Sequence, residues 1–236
     1  MILQTDRQTE HELTGYPSID KPWLKYYSEE VIKMPLPQKT LYSYLYENNR
    51  NHVESVALNY FGNRITYQEF FKHIKATADA FTMAGIKHGD IVTILSLITP
   101  ETIYCIYALN YIGAVANMGY LSLSEDEIIQ MVEKTNSKAI IVLDVAAEKV
   151  IHVQERLTSG MTIILPVESS MPWLMKSILK LKKKKLPNDG KQLLTYPSFV
   201  KKYTGQKQAT EVQWKEEQPA VLVYTSGTTG EPREWF

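Results

Sequence analysis

Between residues 56 and 165, apolar residues form two kinds of pattern: continuous runs, and repeats at the spacing of a helix. Nearly continuous apolar runs occupy residues 91–97 and 139–143, which is typical of strands buried on both faces of a sheet. Elsewhere apolar residues recur at helical spacing, as do Phe70, Ile74, Ala78 and Phe81. Strands that alternate with helices indicate a parallel sheet. We therefore expect an α/β fold with a doubly wound, mostly parallel sheet and helices on both faces.

Helix-end signals agree with this alternation. Thr66 with Glu69 and Ser124 with Glu127 have the spacing of a capping box, in which each side chain bonds the backbone amide of the other residue. Gly113 ends the helix that opens near residue 100, because glycine tolerates the left-handed conformation that closes a helix. These signals predict where three of the helices begin or end.

Two stretches stand apart from the alternating region. Residues 1–37 are polar, with scattered aromatic residues and four prolines, and we assign residues 1–40 to an N-terminal arm. Residues 41–236 then form the domain, in which a short helix beginning at Leu41 precedes a hairpin whose turn lies at residues 61–64. An insert near 166–215 interrupts the pattern before a last strand at 220–224.

The insert contains a basic amphipathic stretch at residues 173–186. Leu174, Ile178 and Leu181 recur at helical spacing among many lysines. One interpretation is a surface helix with a solvated lysine face. The other is weak contact with an anionic membrane, made through Lys180, Lys182, Lys183, Lys184 and Lys185. Both interpretations remain open at this point.

Composition excludes several classes of protein. The chain has 236 residues, with 26 Lys and Arg against 26 Asp and Glu, which argues against nucleic acid as a partner of the whole chain. One cysteine, Cys105, excludes an internal disulfide framework and is expected in the core of a helix. No apolar stretch approaches the roughly 18 residues of a membrane-spanning helix. The N-terminus also turns polar within a few residues, so we expect a cytoplasmic protein.

The last strand runs directly into a loop with unusual chemistry. The stretch reads Tyr224-Thr225-Ser226-Gly227-Thr228-Thr229-Gly230-Glu231-Pro232-Arg233. Glycines allow successive backbone N–H groups to point into one concavity. Hydroxyl groups add donors without bulk, and the arginine adds positive charge. This set of groups suits the oxygens of a polyphosphate and a magnesium ion.

Two alternatives compete with phosphate binding. A hydroxyl-rich surface turn has a similar composition, because Ser, Thr and Gly are common in loops. A Walker A loop does not fit, since Gly227 and Gly230 are only three residues apart and the terminal Lys-Ser/Thr pair is missing. The complete ten-residue stretch is more specific than either alternative.

The stretch resembles the phosphate-binding signature of the adenylate-forming enzymes, which include acyl-CoA synthetases, luciferases and peptide-synthetase adenylation domains. Residues 224–232 match it, with Glu231 at its free position, and Arg233 replaces the family's lysine. The upstream segments 66–70, 85–90, 99–101 and 112–115 also fall in the order typical of this family. The chain thus resembles the N-terminal half of the large domain of an acyl-CoA synthetase.

The resemblance implies an activity and its cofactors. Family members use ATP and Mg²⁺ to convert a carboxylic acid into an acyl-adenylate and pyrophosphate, and many then transfer the acyl group to CoA. The nucleotide-binding residues would be Thr225, Ser226, Gly227, Thr228, Thr229, Gly230 and Arg233. Thr225 would lie beside the metal. The residues leave open which acid reacts and whether the acceptor is CoA or a carrier-protein thiol.

The later family motifs, including the catalytic lysine, are expected beyond Phe236. We therefore expect an incomplete AMP-binding domain and an inactive fragment of such a ligase. A non-catalytic module that binds a nucleotide or a partner chain is the alternative. We also expect the last strand at 220–224 to lack a neighbour, which would leave an exposed sheet edge available for self-association.

Overall fold

The computed structural model of the protein describes residues 14–157, 160–182, 192–203, 205, 208–225 and 233–235. The chain divides into two compact units, Met1–Pro37 and Gln38–Phe236. The first contains the short helices α1 (Pro17–Asp20) and α2 (Glu29–Lys33), with a 3₁₀ turn between them. The assignment of residues 1–40 to an arm stays a prediction.

The second unit alternates strands and helices. Its helices are α3 (Leu41–Asn49), α4 (Tyr67–Met83), α5 (Pro100–Ile112), α6 (Glu125–Lys134), α7 (Ala147–Arg156), α8 (Trp173–Lys182) and α9 (Tyr196–Tyr203). Its strands are β1 (Val56–Tyr60), β2 (Asn63–Thr66), β3 (Ile91–Leu95), β4 (Val115–Gly119), β5 (Ala139–Leu143), β6 (Met161–Leu165), β7 (Leu193–Thr195), β8 (Val221–Thr225) and β9 (Arg233–Trp235).

Seven of these strands form one sheet, in the order β7-β6-β5-β3-β4-β8-β9. Every pair from β7 to β8 is parallel, and β9 pairs with β8 in the antiparallel direction. Strands β1 and β2 form a separate hairpin. The predicted α/β fold with a doubly wound, mostly parallel sheet is confirmed.

Strand β5 explains why the apolar runs are continuous. Ile141 and Leu143 pack in the cluster that contains residues of α4, α5 and α9, whereas Ile140 and Val142 pack in the cluster that contains residues of α6 and α7. All four side chains are buried. Because successive residues of a strand point to opposite faces, a strand covered on both sides needs an apolar residue at every position.

The predicted helix ends are confirmed. Thr66 accepts a hydrogen bond from the Glu69 backbone amide, and the Glu69 carboxylate accepts one from the Thr66 amide. Ser124 and Glu127 make the same reciprocal pair. Gly113 ends α5 with a φ of 74°, a left-handed conformation that disfavours any side chain.

The expectation that the last strand has no neighbour is wrong. Strand β9 pairs with β8 over three residues, with Val223 opposite Trp235 and Thr225 opposite Arg233. The edges of the described sheet are therefore β7 and β9, of three residues each. Short edge strands limit pairing between molecules, and self-association through the sheet edge stays a prediction.

The segment that interrupts the sequence pattern also contributes to the sheet. Strand β7 extends the sheet beside β6, with Leu194 opposite Ile163. Helix α9 then buries Phe199 against Phe81, with ring centroids 5.4 Å apart. The pattern of the 166–215 segment did not predict either element.

In the ranges that the structure describes, no helix combines the length and the apolar character needed to cross a bilayer. The cytoplasmic location stays a prediction.

Cys105 is fully buried in α5, and burial raises the pKa of its thiol. Its interpretation as a core residue is confirmed.

Candidate functional site

The predicted phosphate-binding loop lies at the carboxyl end of β8. The backbone pairing of Thr225 with Arg233 holds the two ends of the loop 226–232 side by side. Ser226, Gly227, Thr228, Thr229 and Gly230 lie outside the described residues, as do the side chains of Thr225 and Arg233. Their roles in binding nucleotide and metal stay predictions.

Strand β8 is fixed in the sheet by its other neighbour, β4. Ala116 lies opposite Val221, and Met118 lies opposite Val223. Beyond the ladder, the Tyr120 hydroxyl donates a hydrogen bond to the carbonyl oxygen of Tyr224, at 3.2 Å. The loop therefore begins from a strand that is held on both sides. In open α/β sheets, ligands bind at the carboxyl ends of the strands.

Four apolar side chains project from the same edge of the sheet. Leu97 and Ile98 follow β3, Tyr120 follows β4, and Val145 follows β5, and they are 61%, 84%, 54% and 71% exposed. We call them the carboxyl-edge surface. Sequence reasoning missed Ile98, Tyr120 and Val145. It placed Leu97 inside a buried strand, which is wrong because β3 ends at Leu95 and the chain then leaves the sheet. Exposed apolar groups beside a ligand-binding edge can hold an apolar part of a ligand.

A second concave site lies on the side of α5, α8 and α9. A cavity of about 680 Å³ is bounded by the hairpin strand β2, by helix α4, by these three helices and by the segment after β6. Its charged side chains are Arg64, Glu69, Glu101, Lys176 and Lys201, together with the ring of His73. We call it the Glu101 cavity.

Glu101 is the buried charged group of this cavity. It lies in the first turn of α5 and is 3% exposed. One carboxylate oxygen, Oε1, accepts a hydrogen bond from Ser170 Oγ at 2.5 Å, and hydrogen bonds with the Thr99 side chain and the Glu101 backbone also stabilise the carboxylate. Burial raises the pKa of the Glu101 carboxyl, although the Ser170 hydroxyl and the Lys176 ammonium oppose the shift.

Tyr104 lies one turn further along α5. It is 1% exposed, and burial raises the pKa of its hydroxyl, although a hydrogen bond with the Ser170 side chain opposes the shift. The His73 ring stacks on the Tyr104 ring, with centroids 4.7 Å apart and planes 10° apart. Burial lowers the pKa of His73, so the imidazole is neutral at physiological pH. Sequence reasoning assigned no role to His73 or Tyr104, and it identified Glu101 only as a residue at the start of a helix.

No metal site is visible in the described ranges, where no group of three or more His, Cys, Asp or Glu side chains is close enough to hold an ion. The basic stretch of the insert is only partly described. Lys183, Lys184 and Lys185 lie outside the described residues, and so do the side chains of Lys180 and Lys182. The feature of this stretch that the structure describes is the exposure of the apolar side chains of α8, and the membrane contact stays a prediction.

The chain is similar to proteins of one family. Residues 45–233 match the family model of the AMP-binding enzymes. The chain is 25% identical to the long-chain-fatty-acid–CoA ligase of Bacillus subtilis (strain 168) over 218 residues, covering 90% of this chain and 39% of that ligase. It is 28% identical to the acetyl-coenzyme A synthetase of Emericella nidulans, covering 73% of this chain and 25% of that enzyme.

Solved structures agree with the fold. An anthranilate CoA ligase in complex with anthranoyl-AMP superposes with a TM-score of 0.68 at 17% identity, covering 84% of this chain and 35% of that one. A luciferase from Phrixothrix hirtus gives a TM-score of 0.63 at 18% identity, covering 86% of this chain and 36% of that one. The chain spans about two fifths or less of the length of each of these relatives.

Proposed function

Because the chain belongs to the AMP-binding enzyme family, we propose that it binds ATP and provides the phosphate-binding part of an acyl-adenylate-forming reaction. One observation carries the proposal: residues 224–233 have the glycine and hydroxyl pattern of a phosphate loop and follow a strand at the carboxyl edge of a parallel sheet. The named relatives are CoA ligases and synthetases, which supports the same chemistry.

The proposed reaction places negative charge on a leaving group. A carboxylate oxygen of the acid attacks the α-phosphorus of ATP, and the bond to the β-phosphate oxygen breaks to release pyrophosphate. The backbone amides and hydroxyls of residues 225–230 stabilise the β- and γ-phosphate oxygens, and Arg233 adds a positive charge. Mg²⁺ held near Thr225 would neutralise further charge on the same oxygens.

A carboxylic acid is the proposed second substrate, and CoA is the proposed acceptor of the acyl group. The Bacillus subtilis relative is named for long-chain fatty acids and the Emericella nidulans relative for acetyl-CoA. The carboxyl-edge surface supports an acid with an apolar body, because its exposed side chains lie at the same edge as the loop.

Competition with pyrophosphate tests the proposal. We expect saturable binding of MgATP by calorimetry, displaced by pyrophosphate and ADP but only weakly by AMP, since the loop holds the β- and γ-phosphates. Binding that AMP displaces as well as pyrophosphate does, or the absence of MgATP binding, would contradict the proposal. Exchange of pyrophosphate into ATP that depends on an added acid would further show that these 236 residues suffice for activation.

We also propose a membrane contact, which the exposure of helix α8 favours. A helix that only presents a lysine face to water buries its apolar side chains against the protein. Here Trp173 is 78% exposed, Leu174 56%, Ile178 48% and Leu181 87%. An exposed apolar face flanked by lysines suits the interface of an anionic bilayer, with the charge supplied by Lys180, Lys182, Lys183, Lys184 and Lys185.

Vesicle sedimentation tests this contact. We expect the chain to sediment with vesicles of phosphatidylserine and phosphatidylcholine but not with pure phosphatidylcholine. The double variant Trp173→Ala/Leu181→Ala should lower the bound fraction at least about fivefold, because it removes much of the exposed apolar area. Tyr44→Ala, which removes an exposed aromatic ring from α3, is the matched control. Equal sedimentation with both vesicle types, or none, would remove the proposal.

A further inference from the structure

Strand β8 continues beyond the point where its pairing with β4 ends. Met118 and Val223 form the last pair of the β4–β8 ladder, whereas β8 extends to Thr225 and pairs there with Arg233 of β9. Past Val223, the described end of β8 therefore has a backbone neighbour on its β9 side only. Strand ends with fewer backbone partners open more readily, so the position of the loop that follows depends on what else holds this end.

The side chain of Tyr120 takes the place of the next hydrogen bond of the ladder. At the start of the ladder, the Ala116 amide donates to the Ala220 carbonyl oxygen at 3.1 Å. Because this pattern repeats every two residues in a parallel pair, it would bring the Tyr120 amide to the Tyr224 carbonyl oxygen. Instead the Tyr120 hydroxyl donates to that oxygen, at 3.2 Å. Tyr120 thus holds the peptide group that leads into Thr225, the first residue of the predicted phosphate-binding set.

Lys149 of α7 holds the segment of chain that follows Tyr120. Its Nζ donates to the carbonyl oxygens of Leu121 and Leu123, at 3.2 Å and 2.6 Å. The Leu123 amide donates in turn to the Tyr120 carbonyl oxygen at 3.3 Å, which closes a turn directly after Tyr120. Hydrogen bonds from an ammonium group are stronger than those between neutral groups, and Lys149 is half-buried. A continuous series of hydrogen bonds therefore connects α7 to the end of β8.

We propose that Tyr120 and Lys149 are positioning residues of the phosphate site, which fix the carboxyl end of β8 so that the loop after it is oriented before a phosphate binds. The inference rests on the proposed function of this loop. An oriented loop loses less conformational freedom on binding, and such preorganisation raises affinity without a new contact to the ligand. Loss of either side chain should therefore weaken all ligands that the loop holds by their phosphates, and by the same factor.

Calorimetry with two probes tests the assignment on the whole chain. Tyr120→Phe should weaken MgATP about three- to tenfold, the loss expected for one hydrogen bond, and should weaken magnesium pyrophosphate by the same factor. Tyr44→Phe, which removes an exposed hydroxyl from α3, is the matched control and should leave both affinities within about twofold of the wild type. Unchanged affinities for Tyr120→Phe would overturn the inference and leave the proposed function intact. A loss for MgATP alone would also overturn it, because Tyr120 would then contact the nucleoside.

A double variant tests whether Lys149 acts through Tyr120. Lys149→Met should weaken MgATP about as much as Tyr120→Phe does, since it releases the turn that carries the tyrosine. The double variant Tyr120→Phe/Lys149→Met should then bind within about twofold of the weaker single variant, because two residues of one network do not add their effects. Losses that multiply, or an unchanged affinity for Lys149→Met, would overturn the role of Lys149.

Hydrogen exchange gives a readout that needs no nucleotide. Without ligand, Tyr120→Phe should speed amide exchange in β8 and β9 at least about threefold and leave β5 unchanged, because the lost bond lies at the end of β8. Unchanged exchange in β8 and β9, or faster exchange throughout the sheet with a lower melting temperature, would overturn the positioning role. Failure of the wild type to bind either MgATP or pyrophosphate would contradict the proposed function and, with it, this inference.

Discussion

Gly227→Val should lower the affinity of the chain for MgATP at least about a hundredfold. A phosphate loop needs glycine where the backbone approaches the phosphate oxygens, because a side chain would fill the concavity and restrict the backbone conformation. Losing several charge-assisted hydrogen bonds at once costs at least about 3 kcal/mol, which corresponds to this change in affinity. The substitution lies in the loop after β8, so the melting temperature should change little.

The neighbouring position Glu231 provides the matched control. It occupies the free position of the family signature, so Glu231→Gln should bind MgATP within about twofold of the wild type. Calorimetry on the three proteins, with melting curves to establish folding, makes the comparison. Equal affinities for the wild type and Gly227→Val would remove the loop from the binding site.

Phe199→Ala should lower the free energy of unfolding by about 3–5 kcal/mol, the usual cost of removing a buried phenyl ring. The ring is fully buried and lies between Phe81 of α4 and Tyr203 of its own helix, with both pairs of ring centroids 5.4 Å apart. Urea denaturation followed by circular dichroism measures the change.

The control for this substitution comes from the same segment of the chain. Leu181 is 87% exposed, so Leu181→Ala should change the free energy of unfolding by less than about 0.5 kcal/mol. If Phe199→Ala also changed the free energy of unfolding by less than about 0.5 kcal/mol, α9 would not belong to the core. Residues 166–215 would then be a peripheral insert.

Local sequence signals predicted much of this fold. Helix α5 begins at Pro100 and ends before Gly113 as predicted, because the proline and the glycine each fix a local backbone conformation. Strand β5 has its predicted bounds, since it is a compact apolar run. The predicted turn 61–64 was too long by two residues, because Phe61 and Gly62, both at positive φ, complete the turn before β2 begins.

The missed features depend on contacts that are distant in sequence. Strands β7 and β9 have three residues each, which is too few to show an alternation of apolar and polar residues. They are recognised as strands only because they pair with β6 and β8. The burial of Glu101 depends on Ser170, which is 69 positions away. Sequence alone identified Glu101 only as a residue that opens a helix. The exposure of the apolar side of α8 likewise depends on what packs against it.

A crystal structure with Mg²⁺ and a non-hydrolysable ATP analogue tests the central claim most directly. We predict that the β- and γ-phosphates lie against the backbone amides of residues 226–230, at the carboxyl end of β8. Phosphates bound elsewhere on the chain, or a loop without nucleotide at saturating analogue, would contradict the account.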